Sequence, residues 1–176
     1  MPVLSVPAPP PSGAAQKTIT ELRTQTVDLL NDAVTTTGAP NGWFWSMVPP
    51  RVPWDGDINK TRLETCSTVG MKDSNQITAV VHHAPLGEPH ATAKILAEHW
   101  KAQGFTIETS IDWTKDAYIV VQFAASRADG ISYEVLVNTE TIAISAYSEC
   151  STDPSFQAWI DGWIDREYPR QATPTP

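Results

Sequence analysis

Basic residues are scarce in this chain: 12 Lys and Arg stand against 20 Asp and Glu, a net charge of −8. A nucleic-acid binder neutralises phosphates with clustered Lys and Arg, and no such cluster occurs, so nucleic acid is not an expected partner. The same acidity disfavours electrostatic docking on anionic lipid. No apolar run approaches the ~20 residues of a membrane-spanning helix. Cysteine is scarcer still, with two in all, in neither a CxxC nor a Cys/His zinc spacing. HExxH is absent, and Glu98-His99 does not create it. Gly-x-Ser-x-Gly and Gly-rich phosphate loops are missing too. The start lacks the basic region and long apolar run of a signal peptide.

What is present is an ordinary globular composition, 41% apolar and 18% charged in 176 residues. That is room for one domain of about 140 residues and one hydrophobic core. The chain divides into a disordered Pro/Ala/Ser tether over residues 1–16, a single domain over 17–168, and a disordered tail over 169–176 ending Thr-Pro-Thr-Pro. Two readings of the tether compete: a cytosolic chain with a disordered start, or an exported chain whose signal was removed and Met1 supplied. Pro-rich spacers often follow the anchoring cysteine of bacterial lipoproteins, which favours the second.

Periodicity predicts the elements. Thr18-Ile-Thr-Glu21 is a capping box opening a helix whose stripe is Ile19, Leu22, Thr26, Leu29, Leu30 and Ala33, with Gly38 as its stop. Thr61–Val69 and Gln76–His83 read as strands. A second helix opens at Pro89, shows Ile95, Leu96 and Trp100 as its apolar face, and ends at Gly104. Phe105–Ile111 alternates as a strand, with Trp113–Asp116 as the following turn. Residues 117–150 then form a meander of strands 117–125, 131–137 and 141–147, turned at Asp129-Gly130 and Asn138–Glu140. Asp153 caps a short last helix with Pro154 first inside, and Phe156, Trp159, Ile160 and Trp163 fold back on the domain. The fold class is α+β: an antiparallel sheet of about five strands with two helices packed on one face.

Ile142, Ile144, Ala146 and Ser148 share strand parity with Cys150, which aims that cysteine at the isoleucine face. Cys66 and Cys150 are either two unrelated thiols or a disulfide, and the exported look of the tether favours the bridge. It would close a loop of 84 residues, stabilising by roughly 4 kcal/mol in the chain-entropy model. The four histidines do not form an obvious ligand set. His82 and His83 are adjacent on a strand and point to opposite faces. His90 and His99 are about 900° apart on a helix, hence on opposite sides. No metal or other cofactor is expected. Asp55 and Asp57 beside Trp54 imitate the carboxylate pair of a glycosidase, although acidic loop residues are usually only solvated. Asn59-Lys60-Thr61 matches a glycosylation sequon by chance.

The segment 40–57 is irregular and holds Trp43-Phe44-Trp45, Pro49-Pro50 and Pro53-Trp54. Such a loop either lies on the core or lines a groove, and its prolines make any groove stiff. Seven tryptophans are a surplus for this length. Candidate binding residues are therefore Trp43, Phe44, Trp45 and Trp54, with Trp159 or Trp163 beside them. No catalytic residue is assigned.

The run from Pro89 to Cys150, with Ala93-Lys-Ile-Leu-Ala-Glu-His-Trp100 and then Gly104-Phe105, resembles small exported lipoproteins of unknown function from actinobacteria. The likeness covers about two thirds of the chain and is one of layout. The lipidated cysteine of that group has no counterpart here, so membrane contact is expected only through a missing N-terminal lipid anchor. The readings that follow are a secreted or cell-envelope binding module, without enzymatic activity, for an unknown protein, peptide or lipid partner; a hydrolase of cell-envelope material; and a phage-encoded or host-facing exclusion factor.

Overall fold

The structure, a computed structural model, describes residues 16–46, 48–66 and 74–167, with side chains from Trp163 back. The expected tether, except Gln16, and the expected tail lie outside the described residues. The capping box forms as its sequence dictates: Thr18 Oγ1 accepts from Glu21 N–H, and Glu21 Oε2 accepts from Thr18 N–H. It opens α1, Ile19–Thr36, which buries Ile19, Leu22, Thr26, Leu30 and Ala33. The buried stripe is wider than expected, taking in Arg23, Val27 and Val34, whereas Leu29 is only partly covered.

Strands β1 (Arg62–Thr65) and β2 (Asn75–His83) follow, then α2, Pro89–Ala102. Glu88 caps α2 through the N–H groups of His90 and Ala91, and Gly104 leaves it at φ +86°. Leu96 and Trp100 are fully buried, but Ile95 is 50% exposed. One residue on a helix is 100° of rotation, and the face set by Thr92, Ala93, Leu96 and Trp100 turns Ile95 outward.

The remaining strands are β3 (Thr106–Lys115), β4 (Tyr118–Ser126), β5 (Ser132–Asn138) and β6 (Ile142–Tyr147), before α3, Pro154–Glu167. The stretch expected as a turn, Trp113–Asp116, belongs mostly to β3. A bulge between Thr109 and Ile111 shifts the register, which lets the strand continue with Ile111 and Trp113 on the exposed side. The turn shrinks to Asp116-Ala117, and Asp116 takes the left-handed φ of +57° that short polar side chains tolerate.

All six strands are antiparallel in the order β1-β2-β6-β5-β4-β3, one more than expected. Alternate residues of the central strands face the helices: Ile77 and Val81, Phe123, Tyr133 and Val135, Ile142 and Ile144. Helix α1 crosses β2 and β6, and α2 crosses β3, β4 and β5. Trp100 stacks on Tyr133 at 4.0 Å between ring centroids, and Tyr133 Oη donates to Leu29 O at 3.2 Å. The last helix adds Phe156 to a smaller cluster with Ile19, Leu22 and Ile77.

Cys66 and Cys150 form a disulfide, with Cα atoms 6.2 Å apart. It ties the end of β1 to the chain just past β6, where Asn75 and Ser151 pair through both backbone bonds.

Candidate functional site

The aromatic segment is a two-stranded hairpin fixed to the sheet. Trp54 N–H donates to Trp43 O and Trp45 N–H to Val52 O, both at 2.8 Å. Phe44 pairs with Pro53 on one side and exchanges both backbone bonds with His82 on the other. The hairpin thus continues the sheet along the half of β2 that β1 leaves free. Pro53 takes the outer position, where its missing N–H costs no ladder bond.

Strand alternation sorts the aromatic side chains. Trp43 is 3% exposed, its Nε1 donates to Ala39 O at 2.7 Å, and His83 packs on it at 4.9 Å between centroids. Gly42 makes room for this: its φ is +85°, and a Cβ there would lie 2.8 Å from His83 Nε2. Trp45 and Trp54 are half-buried and meet at 4.3 Å, with their Nε1 atoms donating to Asp55 and Asn31 at 2.9 and 3.0 Å. Phe44 points the other way and lies under the Arg51 guanidinium. Trp43 is therefore a core anchor and offers no surface, while the edges of Trp45 and Trp54 reach solvent.

Trp159 and Trp163 do not sit in this group. Trp159 packs on the smaller cluster under the Arg23 guanidinium, 5.0 Å from its ring. Trp163, 43% exposed, lies one turn further along α3. The proline-bounded segment is held to β2, whereas α3 is held to the N-terminal part of α1, so the topology separates what the aromatic count had grouped.

Beside the hairpin is a groove of about 350 Å³ lined by Trp45, Ser46, Val52, Lys60, Arg62 and Val80, among others. Register explains it. β1 pairs with β2 only as far as Arg62 opposite Thr78, and Phe44 pairs with His82. Among the described residues, Val80 lies between these pairs with no ladder partner on that side. Val52, which lines the groove, is 39% exposed and adds apolar surface at its mouth. Lys60 bonds Asp55 and stands 5.9 Å over the Trp45 ring. The aromatic search missed Val52, Arg62 and Val80. A valine in the proline-bounded loop was the available signal, and the gap at Val80 had none.

The fold is shared with an actinobacterial protein. A solved structure of a DUF4853 family protein from Actinomyces odontolyticus is similar at 13% identity, with a TM-score of 0.54, covering 85% of this chain and 75% of that one. No family model matches the sequence, and no curated protein does either. The likeness meets the sequence-based expectation of an actinobacterial layout at the level of fold.

The acidic and histidine candidates are engaged locally. Hydrogen bonds from Lys60, then Trp45, then the Asp57 N–H pull Asp55 down to about 2, which keeps it ionised and unsuited to act as a general acid. Asp57 caps the three-residue turn Ile58–Lys60. His83 lies between the carbonyls of Asn41 and Ala84, and burial lowers the His82 value. His90 bridges Asp112 and Glu88, which raise its value in that order. His99 meets Asp32 at 2.9 Å. Among the described residues no three His, Cys, Asp or Glu side chains group to hold a metal ion, and no helix is long and apolar enough to cross a membrane.

Proposed function

We propose that this protein is a non-enzymatic binding module of an exported or cell-envelope compartment, holding an extended peptide segment of a protein partner in the groove beside the hairpin. The carrying observation is the stretch of β2 at Val80, which has no pairing partner on that side among the described residues and is flanked by Trp45, Val52 and Arg62. An unpaired strand edge offers main-chain hydrogen bonds to an extended chain, and neighbouring pockets select its side chains. A groove pinned by the hairpin's backbone bonds loses little entropy when occupied. The Arg62 cation favours a segment with an acidic residue beside apolar ones. The disulfide supports an oxidising compartment. In this reading membrane attachment is through an N-terminal lipid, because a net charge of −8 gives an anionic bilayer no electrostatic hold.

The test is selection of a displayed random decapeptide library on the folded domain, with parallel selection on Arg62→Glu and on Val52→Asp. Enriched peptides should share an acidic residue within an apolar stretch and lose binding to both variants, whose melting temperatures stay at the wild-type value. Enrichment indifferent to both substitutions, or no enrichment, would overturn the reading.

A further inference from the structure

Strand β3 forms the edge of the sheet opposite β1. On its outer side no strand pairs with it among the described residues, and every residue from Glu108 to Lys115 is exposed. Such an edge is a template for another chain unless charge, a bulge or brevity blunts it. The bulge interrupts β3 before Ile111, but residues 111–115 run regularly beyond it. Ile111 and Trp113 pair with Gln122 and Val120 of β4, whereas Val121 and Phe123 face the helices. Ile111 and Trp113 therefore lie on the sheet face away from the helices, 42% and 47% exposed. Tyr118 meets Trp113 edge-on at 6.2 Å between centroids, so three large side chains make one apolar corner.

The backbone of this stretch decides which groups it presents. Lys115 and Tyr118 flank the two-residue turn and form its closing hydrogen-bonded pair. Ile111, Trp113 and Lys115 therefore turn their N–H and C=O groups towards β4, and Asp112 and Thr114 turn theirs outward. The Asp112 carboxylate is held on the helix side by His90. Glu108 shares the open face with Ile111, because its partner Ala124 lies two residues from Gln122. Among the described residues the side chains of Glu108 and Lys115 have no hydrogen-bond or ion-pair partner.

We propose that β3 pairs antiparallel with β3 of a second copy of this chain, about a two-fold axis at Trp113. Asp112 and Thr114 of each copy then exchange main-chain hydrogen bonds with Thr114 and Asp112 of the other. Trp113 stands opposite its own mate in a non-hydrogen-bonded pair, where side chains approach most closely, and Ile111 stands opposite Lys115. Lys115 reaches diagonally past Ile111 to Glu108 of the other copy, so an ion pair lies on either side of the Trp113 pair. Charge and the bulge select this register. Centring on Ser110, Asp112 or Thr114 sets acid against acid: Glu108 against Asp112, Asp112 against itself, or Asp112 against Asp116. Centring on Ile111 runs the ladder through the bulge. This edge lies at the far side of the sheet from the hairpin groove, so the two proposals stand or fall separately.

The experiment is sedimentation velocity of the full chain from about 1 µM to about 1 mM, where a monomer–dimer equilibrium is expected. Lys115→Glu and Glu108→Lys should each weaken the dimer about ten-fold, as both ion pairs become repulsions. The double variant should return to within about three-fold of wild type. Thr114→Pro removes an outward N–H, which an edge strand tolerates, and should abolish the dimer while leaving far-UV circular dichroism at low concentration unchanged. With Cys66 and Cys150 bridged, Trp113→Cys adds a free thiol next to its own mate and should cross-link under mild oxidation. Lys115→Cys should not, because it stands opposite Ile111, about 14 Å from its mate and beyond disulfide reach. A monomer at every concentration, a dimer indifferent to Thr114→Pro, no recovery in the double variant, or equal cross-linking of Trp113→Cys and Lys115→Cys would overturn the proposal.

Discussion

Replacing Trp43 by alanine tests whether the hairpin is built on a core anchor. The ring is almost fully enclosed as part of the main hydrophobic cluster, with His83 packed on it. Truncating a buried Trp to Ala costs about 3–5 kcal/mol. The Nε1 bond to Ala39 O is worth about 1 kcal/mol net, but Ala39 is only partly covered and its carbonyl can turn to water. We expect a loss of about 4 kcal/mol, which in a chain of this size lowers the melting temperature by about 10 °C. Val52→Asp, at the exposed groove mouth, should stay within about 0.5 kcal/mol. Urea unfolding followed by far-UV circular dichroism is the assay, since fluorescence would lose one of its reporters. Trp43→Phe should fall between wild type and Trp43→Ala. A Trp43→Ala loss below about 1 kcal/mol would refute the reasoning and return Trp43 to the list of ligand-facing residues.

Reduction of the Cys66–Cys150 bridge should remove roughly 4 kcal/mol, from the loop entropy of an 84-residue separation. Urea midpoints with and without reductant measure it, and two alkylatable thiols in protein folded under oxidising conditions would contradict the bridge. Gly42→Ala should destabilise by more than about 1 kcal/mol, because the residue sits at positive φ and its new methyl meets His83; an unchanged urea midpoint would mean that the hairpin is not held there. His90 has its value raised above 6.5, first by Asp112 and then by Glu88. Its contribution to stability is therefore complete below pH 6.5 and lost as pH rises through the higher folded value. Melting temperature should decline across that window in wild type and decline less in Asp112→Asn, and parallel profiles would show that the pair is not formed in solution.

Much of the fold could be read locally. Thr18 and Glu21, Pro89, Gly104 and the Asp153-Pro154 pair mark helix ends because capping involves residues three or four apart. The strand alternation of 131–147 identifies the buried face because a side-chain period of two needs no knowledge of partners. The parity that aimed Cys150 at the isoleucine face does not carry past Tyr147: Thr78 pairs with Tyr147 but Asn75 with Ser151, one position out of register, which sets Cys150 beside Gln76. The misreadings sit where a local rule has two solutions. A bulge at Ser110 reverses parity without any sequence mark, so Trp113 was taken for a turn residue. Ile95 and Leu96 are both apolar, and only the position of β4 and β5 decides which one is covered.

The candidate sites depended on tertiary structure far more. The sequence by itself established that its helices and strands make an α+β layer, and that aromatic residues gather in a proline-rich segment. It could not say that Trp43 is an anchor while Trp45 and Trp54 are edges, because that depends on Phe44 pairing with His82, thirty-eight positions away. Nor could it show that β1 stops short at Arg62 and that Val80 has no partner on that side among the described residues. Helix caps and strand parity are short-range consequences of backbone geometry. Grooves are gaps between elements, and their walls come from segments that only the packing of the whole chain brings together.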